Sequence, residues 1–396
     1  MRAWAGLFSV FLAACGSDDA TSGSGGISGS GATGGSTAGG GTSAVGGGGS
    51  GGTGATAGSG GVAGGGGSSG SGPACATAVA GIAVADVDLD GYPSYAVDGC
   101  TLAYVASPSG ELRLRDLALG SEQVVAGAAE APRRPSLAGS VLAWEATDAG
   151  ISVVRVQNGS QVSTLSGSFN HAGEPRATQD AVVLTAWQAT APSSDCDVLL
   201  YAIGDQSLTV VAAGSGQQRF ADVSATHVAV SDFSEDPSGI YAGDGTSLAN
   251  VIVFDRGTGT STTRSFPGKQ AFPMLGSSGM LSYLEWLEVH PVPKLQDYTI
   301  QAVPLSTLGA AGKEIAHVQS EQAVRPTARA GRVEWVVRWG GQSALWRAAL
   351  DQASAPEQIQ LGNLAVLHAP ASAGSMTVLA ARATSSAPPT LISVAP

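Results

Sequence analysis

The feature that most constrains this chain is a loose repeat running through residues 93–396. A proline, or a residue standing in for it, is followed six to ten residues later by a short apolar run. A polar loop comes next, then a second apolar run closed by Gly, Ser or Thr. The copies start at Pro93, Pro135, Pro175, Asp222, Pro273, Pro326 and Pro370, spaced 42, 40, 47, 51, 53 and 44 residues apart. The first runs include Thr101–Tyr104, Val141–Trp144, Val183–Trp187, Val228–Val230, Met280–Tyr283, Val333–Val337 and Met376–Leu379. The second runs include Leu112–Leu114, Ile151–Val154, Val198–Leu200, Val251–Phe254, Tyr298–Ile300 and Leu345–Trp346. They are short, β-branched or aromatic, and bounded by turn formers, which is the pattern of strands. No window carries sustained helical periodicity.

A period of 40–50 residues built from four short strands is the signature of a β-propeller blade. The order Pro, four residues, Gly, an apolar run ending in an aromatic, a polar loop and a second apolar run resembles the TolB-like (WD40-like) propeller repeat. The resemblance is best in Pro135–Ser163 and Pro175–Val211 and looser in the copies at Asp222 and Pro370. The expected fold class is all-β. The last copy ends in Thr390–Val394 and lacks an outermost strand, while a strand-like segment, Thr77–Val84, precedes the first copy without a blade of its own. Adding it to the last blade closes the ring and removes exposed edges. Seven blades are therefore expected, or six if the last copy is decoration.

Glycine is distributed in two regimes. Residues 21–72 hold 26 of the 57 glycines. With almost nothing to bury, residues 16–74 cannot offset their ordering entropy and read as a disordered Gly/Ser/Ala/Thr linker. A Gly-rich coil of that length spans about 40 Å root-mean-square. Ahead of it, Arg2 and the apolar run Ala3–Ala14 fit a signal-peptide core too short to span a bilayer. The run ends in Leu12-Ala13-Ala14-Cys15, which resembles the bacterial lipobox. That resemblance implies a signal peptide over 1–14, lipidation at Cys15, and a linker from 15 to 74 leading to a propeller over 75–396. Gly16, rather than Asp, after the cysteine implies sorting to the outer membrane by the same resemblance.

The chain carries a net charge of −12 and only three lysines, with no basic cluster longer than Arg133-Arg134. Nucleic-acid binding needs clustered cations that release phosphate counterions, so it is set aside, as is a polybasic membrane contact. The lipid is the expected membrane attachment, and a monomer the expected state. Export places Cys75, Cys100 and Cys196 in an oxidising compartment. Three thiols cannot all pair internally, and spacing alone does not fix connectivity; Cys75–Cys100 is the preferred pair.

With strands A to D running outward from the axis, the B–C loops and D–A connections share one face. Three consecutive B–C loops are enlarged: 188–196, 232–248 and 285–297. The second carries Asp232, Glu235, Asp236, Tyr241 and Asp244, and the third Glu285, Trp286, Glu288 and His290. Long loops on a rigid scaffold are where binding residues concentrate. The connection into the first blade reads Asp86-Val-Asp88-Leu-Asp90-Gly91 and resembles the start of a calcium loop. It departs from an EF-hand in having Val97 at the twelfth position and no flanking helices. Tyr104, Trp144, Trp187 and Tyr283 recur in the first runs and read as packing between blades. His171, His317 and His368 fall near D–A connections and could approach the axis; hydrogen-bonded structural histidines are the default. No Gly-x-Ser-x-Gly occurs within 75–396, which excludes a fused serine hydrolase of that type.

The expectation is a non-enzymatic, membrane-anchored lipoprotein that displays a propeller to an envelope or cell-surface protein. The alternatives are a calcium-dependent glycan-binding module using Trp286, Tyr241 and the acidic loops, or a propeller lyase or hydrolase with its site at the axial funnel.

Overall fold

The computed structural model describes Cys75, Val79 and residues 81–85, 93–188, 195–235, 249–276, 279–286, 296–321, 324–329, 331–351, 354–373 and 376–394. Cys15, the linker and the Asp86–Asp90 loop lie outside them.

Seven antiparallel sheets form a seven-bladed propeller. Six are four-stranded meanders with strands A to D in chain order. Blade 1 runs from Tyr95 to Ala126, blade 2 from Arg133 to Thr164, and blade 3 from His171 to Ala212. Blade 4 runs from Gln218 to Arg264, blade 5 from Lys269 to Ser320, and blade 6 from Thr327 to Gly362. The A strands of neighbouring blades touch around the whole ring, including those of blades 7 and 1. A strands are mostly buried, whereas D strands such as Gln161–Thr164 face outward.

Blade 7 is assembled from both ends of the chain. Its strand A is interrupted, with Ala365–Val366 and Ala371–Ala373 both pairing with strand B, Met376–Arg382. Pro370 falls in the break, where a residue without an N–H cannot serve the ladder. Strand C is Thr390–Val394, and strand D is Ile82–Ala83, which pairs antiparallel with Leu391 and Thr390. Val79 and Val84 bury between blades 7 and 1 with Tyr95, Leu102, Val378 and Leu391. Cys75 and Cys100 form a disulfide with a Cα–Cα distance of 5.4 Å. A cross-link at a sequence separation of 25 stabilises the folded chain by about 3 kcal/mol in the chain-entropy model.

The break in strand A of blade 7 leaves backbone groups to be satisfied from elsewhere. Tyr95 of blade 1, fully buried, does this across the seam. Its hydroxyl donates to the Ala369 carbonyl at 2.9 Å and accepts from the Ala380 N–H at 2.9 Å. Burial pushes its pKa above the ordinary tyrosine range.

In blades 2 to 5 the inner strand carries a β-bulge at equivalent positions. The register breaks between Arg133 and Ser136, Gly173 and Arg176, Arg219 and Asp222, and Ala271 and Met274. The first residue inside each break, Arg134, Glu174, Phe220 or Phe272, has a left-handed backbone with φ between 51° and 54°. In three of the four the next residue is the repeat proline: Pro135, Pro175 or Pro273. In blade 4 that place belongs to Ala221, so the copy assigned to Asp222 is one residue late. Left-handed geometry is costly for residues other than Gly, Asn and Asp and persists where surroundings over-determine it.

Those surroundings come from the preceding blade. A bulge removes an N–H from the ladder. The Glu174 N–H donates to the Glu145 carboxylate of blade 2 at 3.3 Å, and the Phe220 N–H to the Glu174 carboxylate of blade 3 at 3.3 Å. The Phe272 N–H donates to the Ser231 hydroxyl of blade 4 at 2.8 Å. Three residues beyond the bulge, the Ala177 N–H donates to Ser136 at 2.9 Å and the Leu275 N–H to Asp222 at 2.7 Å. Asp222 and Ser136 occupy the same place in their blades.

Tyr95→Phe keeps the ring but leaves the Ala369 carbonyl and Ala380 N–H unserved. We expect a loss of about 2 kcal/mol in urea-unfolding stability, because two buried backbone groups lose their partner.

Candidate functional site

Strand A begins and strand B ends on one face of each blade, and the bulges lie near that end. Register alignment at this end shows which side chains are equivalent. In blade 2, Ala143 faces Ser136 across the A–B ladder; Val183, Ala229 and Ser282 hold the same place in blades 3, 4 and 5. Four positions further along strand B stand Thr147, Trp187, Phe233 and Trp286. Blades 3, 4 and 5 thus present an aromatic residue at the same level, at the strand ends that lead into the three enlarged B–C connections.

This alignment corrects the grouping of Tyr104, Trp144, Trp187 and Tyr283. Tyr104, Trp144 and Tyr283 do share a place, but blade 3 has Leu184 there and Trp187 belongs with Phe233 and Trp286. All four of the aromatics first grouped are buried, which supports packing between blades.

The aromatics continue into a cationic belt. Phe220 and Phe272, the left-handed residues of blades 4 and 5, have ring centroids 4.8 Å apart. The Arg325 guanidinium of blade 6 lies 4.2 Å from each centroid. Arg219 covers the Phe220 ring at 4.4 Å. Phe233 packs edge-on to Phe220 at 6.1 Å, and Lys269 stands 5.4 Å from its ring. Trp286 packs on Phe272 at 5.8 Å and on Tyr298 at 5.6 Å. Each such cation–π contact is worth about 0.5–2 kcal/mol.

On the blade 2–4 side the belt is ionic. Glu145, 1% exposed, pairs with Arg134 at 3.0 Å and with Arg133, and accepts from the Ser152 hydroxyl at 2.7 Å. Burial opposes its charge, but Arg134 and Arg133 outweigh burial and hold its carboxyl below the ordinary range. Glu174 pairs with Arg219 and accepts from Thr185 at 2.9 Å. Burial again opposes the charge, and Arg219 with Arg134 brings its pKa down to about 2. Gly173 is required here, since an added Cβ would stand 2.7 Å from a Glu145 oxygen.

The residues singled out from sequence are distributed as follows. Asp232 ends strand B of blade 4, where its carboxylate accepts from Gln218 at 3.1 Å and from the Ser234 N–H at 3.0 Å. Glu235 accepts from Asn250 at 3.4 Å. Glu285 and Trp286 are the last residues of strand B in blade 5, so they belong to the strand rather than to the loop. Burial raises the Glu285 pKa. Asp197, which the sequence reading missed, begins strand C of blade 3, and burial with Asp195 nearby raises its pKa. Asp236, Tyr241, Asp244, Glu288 and His290 lie outside the described residues, as do Asp86, Asp88 and Asp90.

The three histidines have separate environments. His171 stacks on Trp187 at 5.5 Å, and its Nδ1 accepts from the Ser152 N–H at 3.2 Å. His317 contacts Asp297 at 2.6 Å on the outer part of blade 5. His368 is buried and edge-on to Tyr95 at 6.4 Å. Among the described residues, no group of three His, Cys, Asp or Glu side chains is disposed to hold a metal ion.

A cleft of about 510 Å³ opens at the seam between Ile82–Ala83 and blade 1. Its charged groups compensate one another: Glu122 accepts from Tyr104 at 2.5 Å and Arg113 at 2.7 Å, and Arg113 reaches Glu111 at 2.6 Å.

No protein-family model and no curated protein matches the chain. Solved structures do match, at identities that speak to fold alone. The propeller domain of the Trilobed protease from Pyrococcus furiosus covers 79% of this chain and 95% of its own, with a TM-score of 0.56 and 9% identity. An oligogalacturonate lyase, solved in complex with manganese, covers 77% of this chain and 90% of its own, with a TM-score of 0.51 and 9% identity. TolB from Acinetobacter baumannii covers 69% of this chain and 64% of its own, with a TM-score of 0.43 and 13% identity.

These likenesses correct the expectation of a non-enzymatic protein. The similar structures include a lyase that is propeller over nearly all its length and a propeller that is part of a protease. This fold therefore gives no ground for setting catalysis aside.

The glutamate belt makes a pH prediction. A carboxyl whose folded pKa is depressed stabilises the fold above its unfolded pKa and loses that contribution as pH falls toward the folded value. Stability should be retained above about pH 5 and decline between about pH 4.3 and 2, with Glu174 alone accounting for about 3 kcal/mol. Asp222 works in the opposite direction, because burial raises its pKa. Glu174→Ala should cost about 3–5 kcal/mol in urea unfolding and flatten the acid limb, because it strips the carboxylate from a buried guanidinium.

Proposed function

We propose that this chain is a lipid-anchored envelope protein that receives a protein partner on the B–C face of blades 3 to 5. The observation that carries the reading is the equivalent placement of Trp187, Phe233 and Trp286 at the strand ends that lead into the three longest B–C connections. An inter-blade belt of ionic and aromatic contacts fixes the strand ends, while the connections above them are free to differ in length and chemistry. That division of labour suits recognition by loops on a rigid scaffold. Asp232, Glu235 and Glu285 stand at or just past the strand ends of this face, and the connecting sequences 236–248 and 287–295 add Asp236, Asp244 and Glu288. A partner presenting basic and aromatic groups matches this face. The lipobox-like Leu12–Cys15 and the Gly-rich linker support attachment at the membrane with a reach of about 40 Å.

The test is capture from envelope extract with the soluble propeller as bait. A second bait has 236–248 replaced by a Gly/Ser linker, and both are run with calcium and with chelator. The reading expects a stoichiometric protein that the loop-replaced bait fails to retain. Equal capture by both baits would refute the assignment of the face. Polysaccharide retained only with calcium would replace this reading with the glycan-binding one and direct attention to Asp86, Asp88 and Asp90. For the anchor, Cys15→Ala should move the protein from membrane to soluble fractions; persistence in the membrane would refute lipidation at that cysteine.

A further inference from the structure

The N-terminal segment is tied to blade 1 at both ends and to blade 7 in the middle. At the A–B end, Cys75 is disulfide-bonded to Cys100 beside the turn of blade 1. At the B–C end, the Ala85 N–H donates to the Val105 carbonyl at 2.8 Å, and Val84 bridges Ala106. Among the described residues between them, Ile82 and Ala83 pair with blade 7, helped by the Val84 N–H donating to the Pro389 carbonyl at 3.2 Å. The apolar anchors are small: Val79, Ile82 and Val84.

A two-residue strand is far below the length that holds a sheet edge by itself. The disulfide adds a second covalent tie to blade 1, beyond the peptide chain that already runs from Ala85 to Tyr95, and so limits how far the strand can move when its pairing breaks. Its covalent loop contains both the closing strand and strand A of blade 1, so the strand stays at high local concentration against blade 7. Reduction releases Cys75 and leaves the segment held, among the described residues, by the Ile82–Ala83 pairing, a few backbone bonds and the side chains of Val79, Ile82 and Val84. Strand C of blade 7, Thr390–Val394, would then become a free edge. Cys75 is only partly buried, which leaves the bond open to attack.

We infer that the Cys75–Cys100 disulfide is a redox latch on ring closure. The reductant is a dithiol. One of its thiolates attacks a sulfur of the disulfide, forming a mixed disulfide and expelling the other cysteine as a thiolate. The second thiol of the reductant then resolves the mixed disulfide. Two electrons pass to the protein, Cys75 and Cys100 end as thiols, and the dithiol ends as its own disulfide.

The experiment is hydrogen exchange on the full chain, folded and then reduced with dithiothreitol without denaturant. Alkylation and mass mapping follow Cys75 and Cys100. The latch predicts that amide protection across Leu391–Val394 falls at least about tenfold on reduction, that protection across Met280–Trp286 in blade 5, which carries no cysteine, is unchanged, and that reoxidation restores the original pattern. Three results would overturn it: a disulfide that resists the dithiol in the folded chain, unchanged protection in blade 7 once the thiols are free, or an equal loss in blade 5. The double variant Cys75→Ser with Cys100→Ser should reproduce the reduced pattern. If that variant does not fold, reduction of the folded wild-type chain still decides.

Discussion

The structure depends on how the inner strands satisfy their own backbone. Bulges in blades 2 to 5 place Arg134, Glu174, Phe220 and Phe272 in left-handed conformations. In blades 3, 4 and 5 the N–H of that residue is taken up by Glu145, Glu174 or Ser231 of the blade before. A blade removed from its neighbour would keep its hairpins but lose the partner for a buried donor, at a cost of about 1–3 kcal/mol for each group. The blades are therefore parts of one cooperative ring rather than independent units on an axis. The same bulges aim Phe220 and Phe272 at Arg325 and bring Glu174 to Arg219, so backbone satisfaction and the ionic and aromatic belt share one geometry.

That belt gives the B–C face its character. Side chains at these strand ends are largely buried and held by several blades at once, at the points where the chain enters the enlarged connections. The seam between blades 7 and 1 is organised differently. Among the described residues Tyr95 bridges the interrupted strand of blade 7, and a two-residue strand with a disulfide completes the sheet. The ring is thus tightly coupled through blades 2 to 5 and closed by a lighter device where its first and last strands pair.

Much of the architecture could be read from the sequence, because strand spacing and turn residues are local signals. The seven copies and the use of an N-terminal strand to complete the last blade followed from periodicity and from the need to remove an edge. In blades 2, 3 and 5 the proline marking the copy follows the left-handed bulge residue, which explains its place there and the slip at Asp222, where Ala221 replaces it. Trp187 was grouped with Trp144 because both end an apolar run; only the ladder register shows that Trp187 lies three residues beyond and matches Phe233 and Trp286. The site was less legible. Glu145, Glu174, Arg219 and Arg325 are far apart in the chain and read as ordinary surface charges. A trace of their role was present, since Arg134, Glu174, Phe272 and Arg325 each precede a repeat proline. The exclusion of catalysis failed because it rested on missing motifs, and propellers place their side chains from many blades without a local signature.

Coupling between blades is best tested by urea unfolding followed in parallel by tryptophan fluorescence and far-ultraviolet circular dichroism. The tryptophans include Trp144 in blade 2, Trp187 in blade 3, Trp286 in blade 5 and Trp335 and Trp346 in blade 6, so fluorescence samples both sides of the ring. A ring whose inner strands depend on their neighbours predicts coincident transitions with one midpoint. Separate transitions, with secondary structure persisting after the tryptophan environments have changed, would contradict it.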